Sequence, residues 1–600
     1  MFLYSKLIRL KMKRANLLLL IIFASAIIIR AIPIILYGAW GNDFGIYFYL
    51  TKKFIETKDI FINYTGWGSS YNFFPTLYIS ASILCFFGMN EIYALSIIGP
   101  IFGGLCILIF YFIAREIGFE KKLSLMCSII LAVLPVHAYQ TSHSAPLTIG
   151  HFFLLVSFLF YLKTKKDGRW YVPLYISTIL LIFSHHLTTY FYLISIIFAI
   201  FWSEIKNNSW SKNIVKDVFY VLFSLTSTFL YWAFIAKPVY LFMEGKHLSP
   251  LEIIILSYVL FLLSFIFVKI RRKYFVFKKI EFENDFLIFS MVPLITIICV
   301  AVGQFLVLKY ISIKFIAFSI PFSLIGGFGA IGWRKTENNY IKGWLLAIFS
   351  SIIFSISFDL KSLYIERHIE YLSEPLAIFV GYGISYVAKH IKSYEISTTR
   401  KINFSYNAFA IFISILLITN VASIYPLGEY SANICEGIPE STINLIEWMN
   451  KSLPKDTLVL SDHRISNLLF AYGFNTTYDK NGNSWCQYKI WTEDDWKNCI
   501  DELSFEGERI SYIVIDDIMV KKGVVIDVYK SIAITNASYE KFQEMPFKLI
   551  YRNCTYKIPL EKINSTIDCM DYKNEEIMKN VLHWAEIYEI KWDYIKNELP

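Results

Sequence analysis

Along most of this chain the apolar positions neither alternate nor form a stripe; they run on. Stretches of about 20 apolar residues, enough to cross the roughly 30 Å hydrocarbon core of a bilayer, recur up to residue 425. Thirteen such runs are separated by polar flanks, at 16–38, 92–114, 122–139, 146–163, 170–184, 188–204, 214–237, 250–270, 284–308, 311–333, 340–358, 372–390 and 404–425. Each predicts a membrane helix. A further run at 73–89, FFPTLYISASILCFFGM, is short and broken by Pro75, and predicts a helix lying at the interface. Beyond 425 the pattern changes. STINLIEWMNKSL has helical spacing, and TLVLSD and ISYIVIDD are β-branched runs ending in acids. Residues 574–597 are spaced like a closing amphipathic helix. The pattern thus predicts a polytopic α-helical membrane domain over 1–425, with a first external loop at 39–91, and an α/β domain over 426–600.

Composition agrees. Apolar types make up 56% of residues, charged types 18%, and mean hydropathy is +0.48, which excludes a soluble multidomain protein for most of the length. The basic leader MFLYSKLIRLKMKR is not followed by a small-residue cleavage motif, so 16–38 reads as a retained first span. The net charge of +9 points to topology and not to nucleic acid. REIGFEKK, KTKKDGR, KNNSWSKN, KIRRKYFVFKK, WRKTENNYIK and KHIKSYEISTTRK all fall on the side of the N-terminus, which the positive-inside rule makes cytoplasmic. Counting 73–89 as a full span would invert every later loop. An odd number of spans then places 426–600 outside the cell membrane. Cys435, Cys486, Cys499, Cys554 and Cys569 suit that oxidising side, though their pairing cannot be deduced. Asn-X-Ser/Thr triplets agree only in part: six lie on the outer face, and Asn207 and Asn403 on the inner.

Four groups of residues on the outer face carry chemistry. Asp43 stands just beyond the first span, ahead of the aromatic YTGWGSSYNFFP, and acids at a membrane edge mark function more often than solvation. His143 sits at the tip of HAYQTSHSAPLTIGHFF, with His137 and His151 flanking it; imidazole serves as base or metal ligand, unless this is only a polar turn capped by Ser144. His185 and His186 mark an outward turn in FSHHLTTYFY, suited to a cation, a phosphate or neighbouring helix ends. In ERHIEYLSEPLAIFVGYG, Arg367, Glu370 and Glu374 lie near the outer boundary. A guanidinium there suits phosphate, unless it pairs with Glu366 or with Glu370 one helical turn on. Acid, histidines and arginine on one face suit a polyprenyl-phosphate donor with its tail in the bilayer. Transfer needs a base near the acceptor and positive charge at the departing phosphate. Asp43 would be that base, or with His143 would hold a divalent cation, Mg²⁺ or Mn²⁺. In the outer domain, Asp462, His463 and Arg464 follow one strand and Asp516 and Asp517 another, where open α/β sheets bind ligands and where loop caps also sit. No Walker or dinucleotide glycine motif occurs, so a nucleotide sugar is not supported.

These features together resemble the GT-C superfamily of membrane glycosyltransferases, most closely the branch containing the oligosaccharyltransferase catalytic subunit. The resemblance spans nearly the whole chain. IIGPIFGGLCILIFYFIAREIGFEKKLSLMCSIILAVLP is similar to the family's second and third spans, and LIEWMNKSLPKDTLVLSDHRISNLL to the opening of its C-terminal domain. Arg367, Tyr371, Pro375, Ala377, Gly381 and Gly383 resemble the helix whose arginine meets the lipid-linked phosphate. The chain departs from the branch where SDHRI replaces the Trp-Trp-Asp-Tyr-Gly signature that reads the sequon. TSHSAP lacks the family's acidic metal ligands, so His143 would have to stand in for one, and the acidic motif of the long outer loop has no counterpart. The resemblance implies transfer of a sugar or glycan from a polyprenyl phosphate or pyrophosphate to an acceptor glycan, lipid or protein. Arg367 would be on the phosphate, with His185, His186 and the Asp462–His463–Arg464 segment assisting binding. The departures argue against protein N-glycosylation. Two alternatives remain open: a lipid-linked glycan transporter or flippase, which predicts charges inside the membrane and repeated halves, and a glycan-binding relative without catalysis. The enzymatic reading expects Asp43 and Arg367 to line one cavity.

Overall fold

A computed structural model describes residues 2–598 except 69, 207–209, 246–247, 275–283, 309–311, 359–362, 364, 391–405, 433, 478–486, 528–529, 558–568 and 570–578. The basic stretches at 275–279 and 391–401, the external segment 309–310, Cys486, and the triplets at Asn207, Asn403 and Asn564 lie outside the described residues. The chain divides into two compact units. One holds 1–30, 100–142 and 146–428; the other holds 31–99, 143–145 and 429–600, and so takes in the first external loop.

The first unit is helical. Among the described residues of the chain, ten helices are long and apolar enough to cross a bilayer: Ala15–Tyr37, Glu91–Glu116, Pro146–Thr164, His186–Ile205, Ile214–Ile235, Pro250–Arg271, Asp285–Phe305, Ile313–Lys335, Asn339–Ser357 and Tyr406–Glu429. The chain is a multi-pass membrane protein. Three of the expected thirteen runs take other forms. The 122–139 run breaks at Leu134, which is extended (φ −64°, ψ 118°) because Pro135 disfavours helical geometry in the residue before it; the result is helices Lys121–Val133 and Pro135–Gln140. The 170–184 run yields only the 12-residue Tyr171–Ile182. The 372–390 run belongs to a longer, 26-residue helix, Ile365–His390, which carries Arg367, Glu370 and Glu374 in its first half. That helix lies backbone-close to Ile313–Lys335, since a Cβ at Gly332 or Gly383 would collide with the carbonyl of Phe379 or Phe328. Most residues of Pro146–Thr164 are buried, whereas Asp285–Phe305 shows its apolar side chains outward.

Among its described residues the second unit carries ten strands. β1 (Gly38–Trp40) pairs antiparallel with β2 (Gly437–Pro439). β3 (Leu458–Leu460), β4 (Asn475–Thr476), β5 (Ser504–Phe505), β6 (Glu508–Asp516), β9 (Phe547–Tyr556) and β10 (Val581–Ile590) form one sheet, in the order β4-β3-β6-β10-β9 with β5 on β6. β7 (Val524–Asp527) and β8 (Lys530–Ile532) make a separate hairpin. β3 runs parallel to β4 and β6, and β10 antiparallel to β6 and β9. The interfacial run appears as the helix Thr76–Phe86. The expected closing helix over 574–597 is corrected: its described part is β10 followed by the short helix Trp592–Glu598. Val581, Trp584, Ala585 and Tyr588 fit a helical stripe, but the segment is also rich in aromatic and β-branched residues. Pairing on both edges, with β6 and with β9, decides for strand. A disulfide joins Cys554 and Cys569, while Cys435 and Cys499 are free and buried.

Candidate active site

In the second unit, β1 ends at Trp40, and the N–H of Gly41 donates to the carbonyl of Glu436 at 3.0 Å, which fixes the approach to Asp43. Asp43 stands at the N-cap position of the helix Phe44–Thr57 but makes no capping hydrogen bond. Its oxygens are used otherwise. Oδ1 meets Nε2 of His463 at 3.0 Å, and Oδ2 accepts from the hydroxyl of Tyr71 at 3.1 Å. His463 is wholly buried, with the edge of Trp67 against it at 4.6 Å, while Asp43 stays 17% exposed. The pair depends on a close backbone approach. A Cβ on Gly45 would stand 2.6 Å from the carbonyl oxygen of Asn467, and nearer still to that residue's carbonyl carbon. Asn467 in turn donates its side-chain N–H to the carbonyl of Asn42 at 3.3 Å.

His143 lies in the same unit. Its Nε2 is 3.1 Å from Oε2 of Glu436, which also accepts from the backbone N–H of Asn42 at 3.2 Å, and the ring of Trp40 covers it at 5.5 Å. Glu436 therefore links His143 to the residue before Asp43. Sequence reading missed Glu436, which falls in the polar stretch between the last span and the first helix of the outer domain.

The Asp462–His463–Arg464 triplet is split in its roles. Asp462 caps the helix His463–Ala471, accepting from the N–H of Ile465 at 3.0 Å. Arg464 is fully buried and donates to Asp462 at 2.7 Å, to Asp516 at 3.1 Å and to the carbonyl of Gly437. Burial disfavours its charge, but the two carboxylates outweigh that and hold its pKa above the ordinary value. Asp516 is also a helix cap, bonded to the N–H of Met519 at 2.8 Å. Asp462 and Arg464 are thus consumed in holding helix to sheet. Neither is exposed enough to take an acceptor, and both leave the candidate set for that reason. Asp517 is likewise engaged, by His583 at 3.0 Å and Lys521 at 2.8 Å.

In the first unit, Arg367, Glu370, Tyr371 and Glu374 follow a three-and-four spacing along Ile365–His390 and so share one face. Arg367 is half-buried, near enough to His185 and His186 for its charge to act on both rings. Those rings are 4.8 Å apart. His185 Nδ1 lies 2.9 Å from the hydroxyl of Thr188, which is 2.7 Å from that of Tyr371. His186 also lines an apolar cavity of about 320 Å³ whose wall includes Tyr190, Trp232, Phe242, Leu260 and Ser351. Glu370, an expected partner of Arg367, instead meets His151 Nε2 at 2.6 Å, and Glu374 meets His151 Nδ1 at 2.8 Å. Beside them Arg30 donates to Thr141 at 2.7 Å and to Nδ1 of His137 at 3.1 Å.

His137, His151 and Glu374 are the one group among the described residues with three ligand atoms inside 4.8 Å. Their lone pairs do not suit a cation. A guanidinium can only donate, so Arg30 puts the lone pair of His137 on Nδ1 and its proton on Nε2; both nitrogens of His151 serve carboxylates. Asp43 and His143, expected to hold Mg²⁺ or Mn²⁺, are not in that group: both oxygens of Asp43 accept hydrogen bonds, and Nε2 of His143 faces Glu436. These donors and acceptors are engaged in hydrogen bonds.

No protein-family model matches the chain, and no curated protein does. Among solved structures, the arabinofuranosyltransferase AftD from Mycobacteria overlaps 95% of this chain and 40% of its own, at 9% identity and a TM-score of 0.48. This chain therefore spans less than half of AftD. ArnT from Cupriavidus metallidurans in the apo state overlaps 82% of this chain and 92% of its own, at 14% identity and a TM-score of 0.42. The same protein bound to undecaprenyl phosphate gives 83%, 93%, 14% and 0.40. At such values the likeness is one of broad outline, and no residue role is carried across from it.

Proposed function

We propose that the chain is a GT-C-type membrane glycosyltransferase that takes a sugar from a polyprenyl phosphate or pyrophosphate and transfers it to an acceptor outside the membrane. The observation that carries the donor class is the apolar cavity of about 320 Å³ among membrane helices, with His186 in its wall and Arg367 acting on that imidazole. Its volume is at the small end of ligand sites. A polyprenyl phosphate has two matching parts: an isoprenoid chain for the cavity, and an anion for a permanent guanidinium and two imidazoles.

Asp43 is the base in this reading. With His463 and Tyr71 each donating to one oxygen, the carboxylate is aimed while part of it stays open. The acceptor hydroxyl gives its proton to Asp43 as its oxygen bonds to the anomeric carbon. The anomeric C–O bond to the carrier breaks, and its electron pair leaves with the phosphate. On the donor, Arg367 offsets the charge the phosphate gains. His143 orders the approach to Asp43 through Glu436 and Asn42. The positive-inside pattern puts the N-terminus in the cytoplasm and residues 426–600 outside.

Asp43→Asn, purified in nanodiscs with lipid-linked sugar, is expected to fold, to bind donor and to transfer nothing. Full activity would remove Asp43 from the reaction. One observation favours a second reading, a carrier that moves the intact lipid-linked glycan: Arg30, His151, Glu370 and Glu374 are buried ionisable groups within helices of the membrane unit. Only the enzyme breaks the sugar–phosphate bond, so release of free polyprenyl phosphate separates the two, and a non-catalytic glycan binder would give neither cleavage nor transport.

A further inference from the structure

We infer that His151 is a positioning residue for the donor phosphate: by gripping Glu370 and Glu374 it fixes the rotation and height of the Ile365–His390 helix, and with them the place of Arg367. The inference rests on the donor reading above. One imidazole spans a full helical turn of its neighbour, with Nε2 on Glu370 at 2.6 Å and Nδ1 on Glu374 at 2.8 Å. Its ring stacks on Tyr371, which lies between those acids in sequence, at 4.7 Å and 19°. Three residues of one helix face are therefore held by a single side chain with no exposure. Arg367 is the next residue on that face toward the N-terminus, three before Glu370. Slipping the helix by one residue would turn this face by about 100° and carry the guanidinium away from the histidine pair. Tyr371 supplies a second tie, since its hydroxyl meets Thr188 and, through it, His185.

The composition of the cluster argues for geometry over stability. Each of the two carboxylates puts one oxygen on His151. Glu370 Oε2, Glu374 Oε2 and His137 Nε2 are nonetheless buried with no hydrogen-bond partner. Apolar side chains of similar volume would fill such a site at no loss of stability in many proteins. What they would not supply is a two-point grip that sets register.

The test uses the full chain in nanodiscs and two probes, undecaprenyl phosphate and the uncharged undecaprenol. Four forms are compared: wild type, Arg367→Ala, His151→Gln, and an apolar replacement combining His151→Phe, Glu370→Leu and Glu374→Leu. Wild type should prefer the phosphate, and Arg367→Ala should lose that preference by roughly tenfold or more. His151→Gln and the apolar replacement should lose most of it too, with undecaprenol binding unchanged. An Arg367→Ala variant that keeps the preference would sink the donor reading itself. If Arg367→Ala loses it while the folded apolar replacement keeps it, the positioning role is overturned and the cluster is structural. Should His151→Gln fail to fold, the apolar replacement decides. A stoichiometric metal in the wild type that disappears in Glu374→Gln would also overturn it.

Discussion

Gly45→Ala tests whether the reach of Asp43 depends on backbone contact between the helices Phe44–Thr57 and His463–Ala471. The added methyl would lie 2.6 Å from the carbonyl oxygen of Asn467 and closer to the carbon and nitrogen behind it, all of them backbone atoms that no rotamer change can clear. Ordinary contact needs about 3.5 Å, so the helices must part by about 1 Å. That movement acts directly on the 3.0 Å bond between Asp43 and His463, which lengthens beyond hydrogen-bond range. Overpacking of this kind costs about 1–3 kcal/mol, a loss the whole protein can survive. A base misplaced by about 1 Å costs on the order of 10²-fold in rate. The expected result is a folded protein with an unfolding temperature a few degrees lower and transfer reduced about 100-fold, assayed as sugar released from its lipid carrier. Gly303→Ala is the control, because a Cβ there meets nothing within 4 Å. A Gly45→Ala protein with wild-type turnover would refute the claim that this contact aims Asp43.

Other substitutions separate aiming from architecture. His463→Ala should lower transfer by roughly 10- to 100-fold with little change in unfolding, because it frees one oxygen of Asp43 without exposing a buried charge pair; equal loss of stability and activity would count against it. Arg464→Ala should instead cost about 3–5 kcal/mol, since it leaves Asp462 and Asp516 buried and uncompensated, and an unchanged unfolding curve would contradict that. The pH dependence of stability follows from Asp517. Burial opposes its charge, but hydrogen bonds from His583 and Lys521 outweigh it and hold the carboxyl below the usual range. The native form then binds its proton less readily than the unfolded chain. The stabilisation is fully present above the unfolded pKa of about 4 and is lost as pH falls through the native value. Asp517→Asn should flatten thermal stability over that acid window, lowering it near neutrality and leaving it unchanged below the native pKa. Finally, a reporter fused at residue 600 should be active only on the outer side of the membrane; activity in the cytoplasm would reverse the topology.

The membrane character was legible because it rests on composition summed over long runs, and ten of the runs became helices of spanning length. Where the reading slipped, one local feature decided. Pro135 converted an apolar run into two short helices, and the closing segment satisfied helical and strand periods alike until its two neighbours in the sheet were known. Neither neighbour is close in sequence: β6 ends at Asp516 and β9 at Tyr556. Periodicity is a property of one segment, whereas strand pairing is a property of three.

The candidate residues show the same division more sharply. Asp462, His463 and Arg464 were indistinguishable as a polar triplet after a strand, yet successive residues entering a helix point about 100° apart. Two of them therefore turn to the sheet and cap, and the middle one turns to Asp43. No property of the three side chains foretells which is which; the strand register and the close approach at Gly45 do. Glu436 was illegible for a related reason, since its importance comes from receiving His143 and the N–H of Asn42, residues some three and four hundred positions earlier. The signal that could have been used is the glycine. A glycine at the second position of an otherwise aromatic amphipathic helix, two residues after a membrane-edge acid, sacrifices helix stability, which is sensible only where another backbone must come close. Asp43 with Gly45 is thus a stronger sequence marker of an aimed carboxylate than the acid alone, and Gly45→Ala is the substitution that puts that argument at risk.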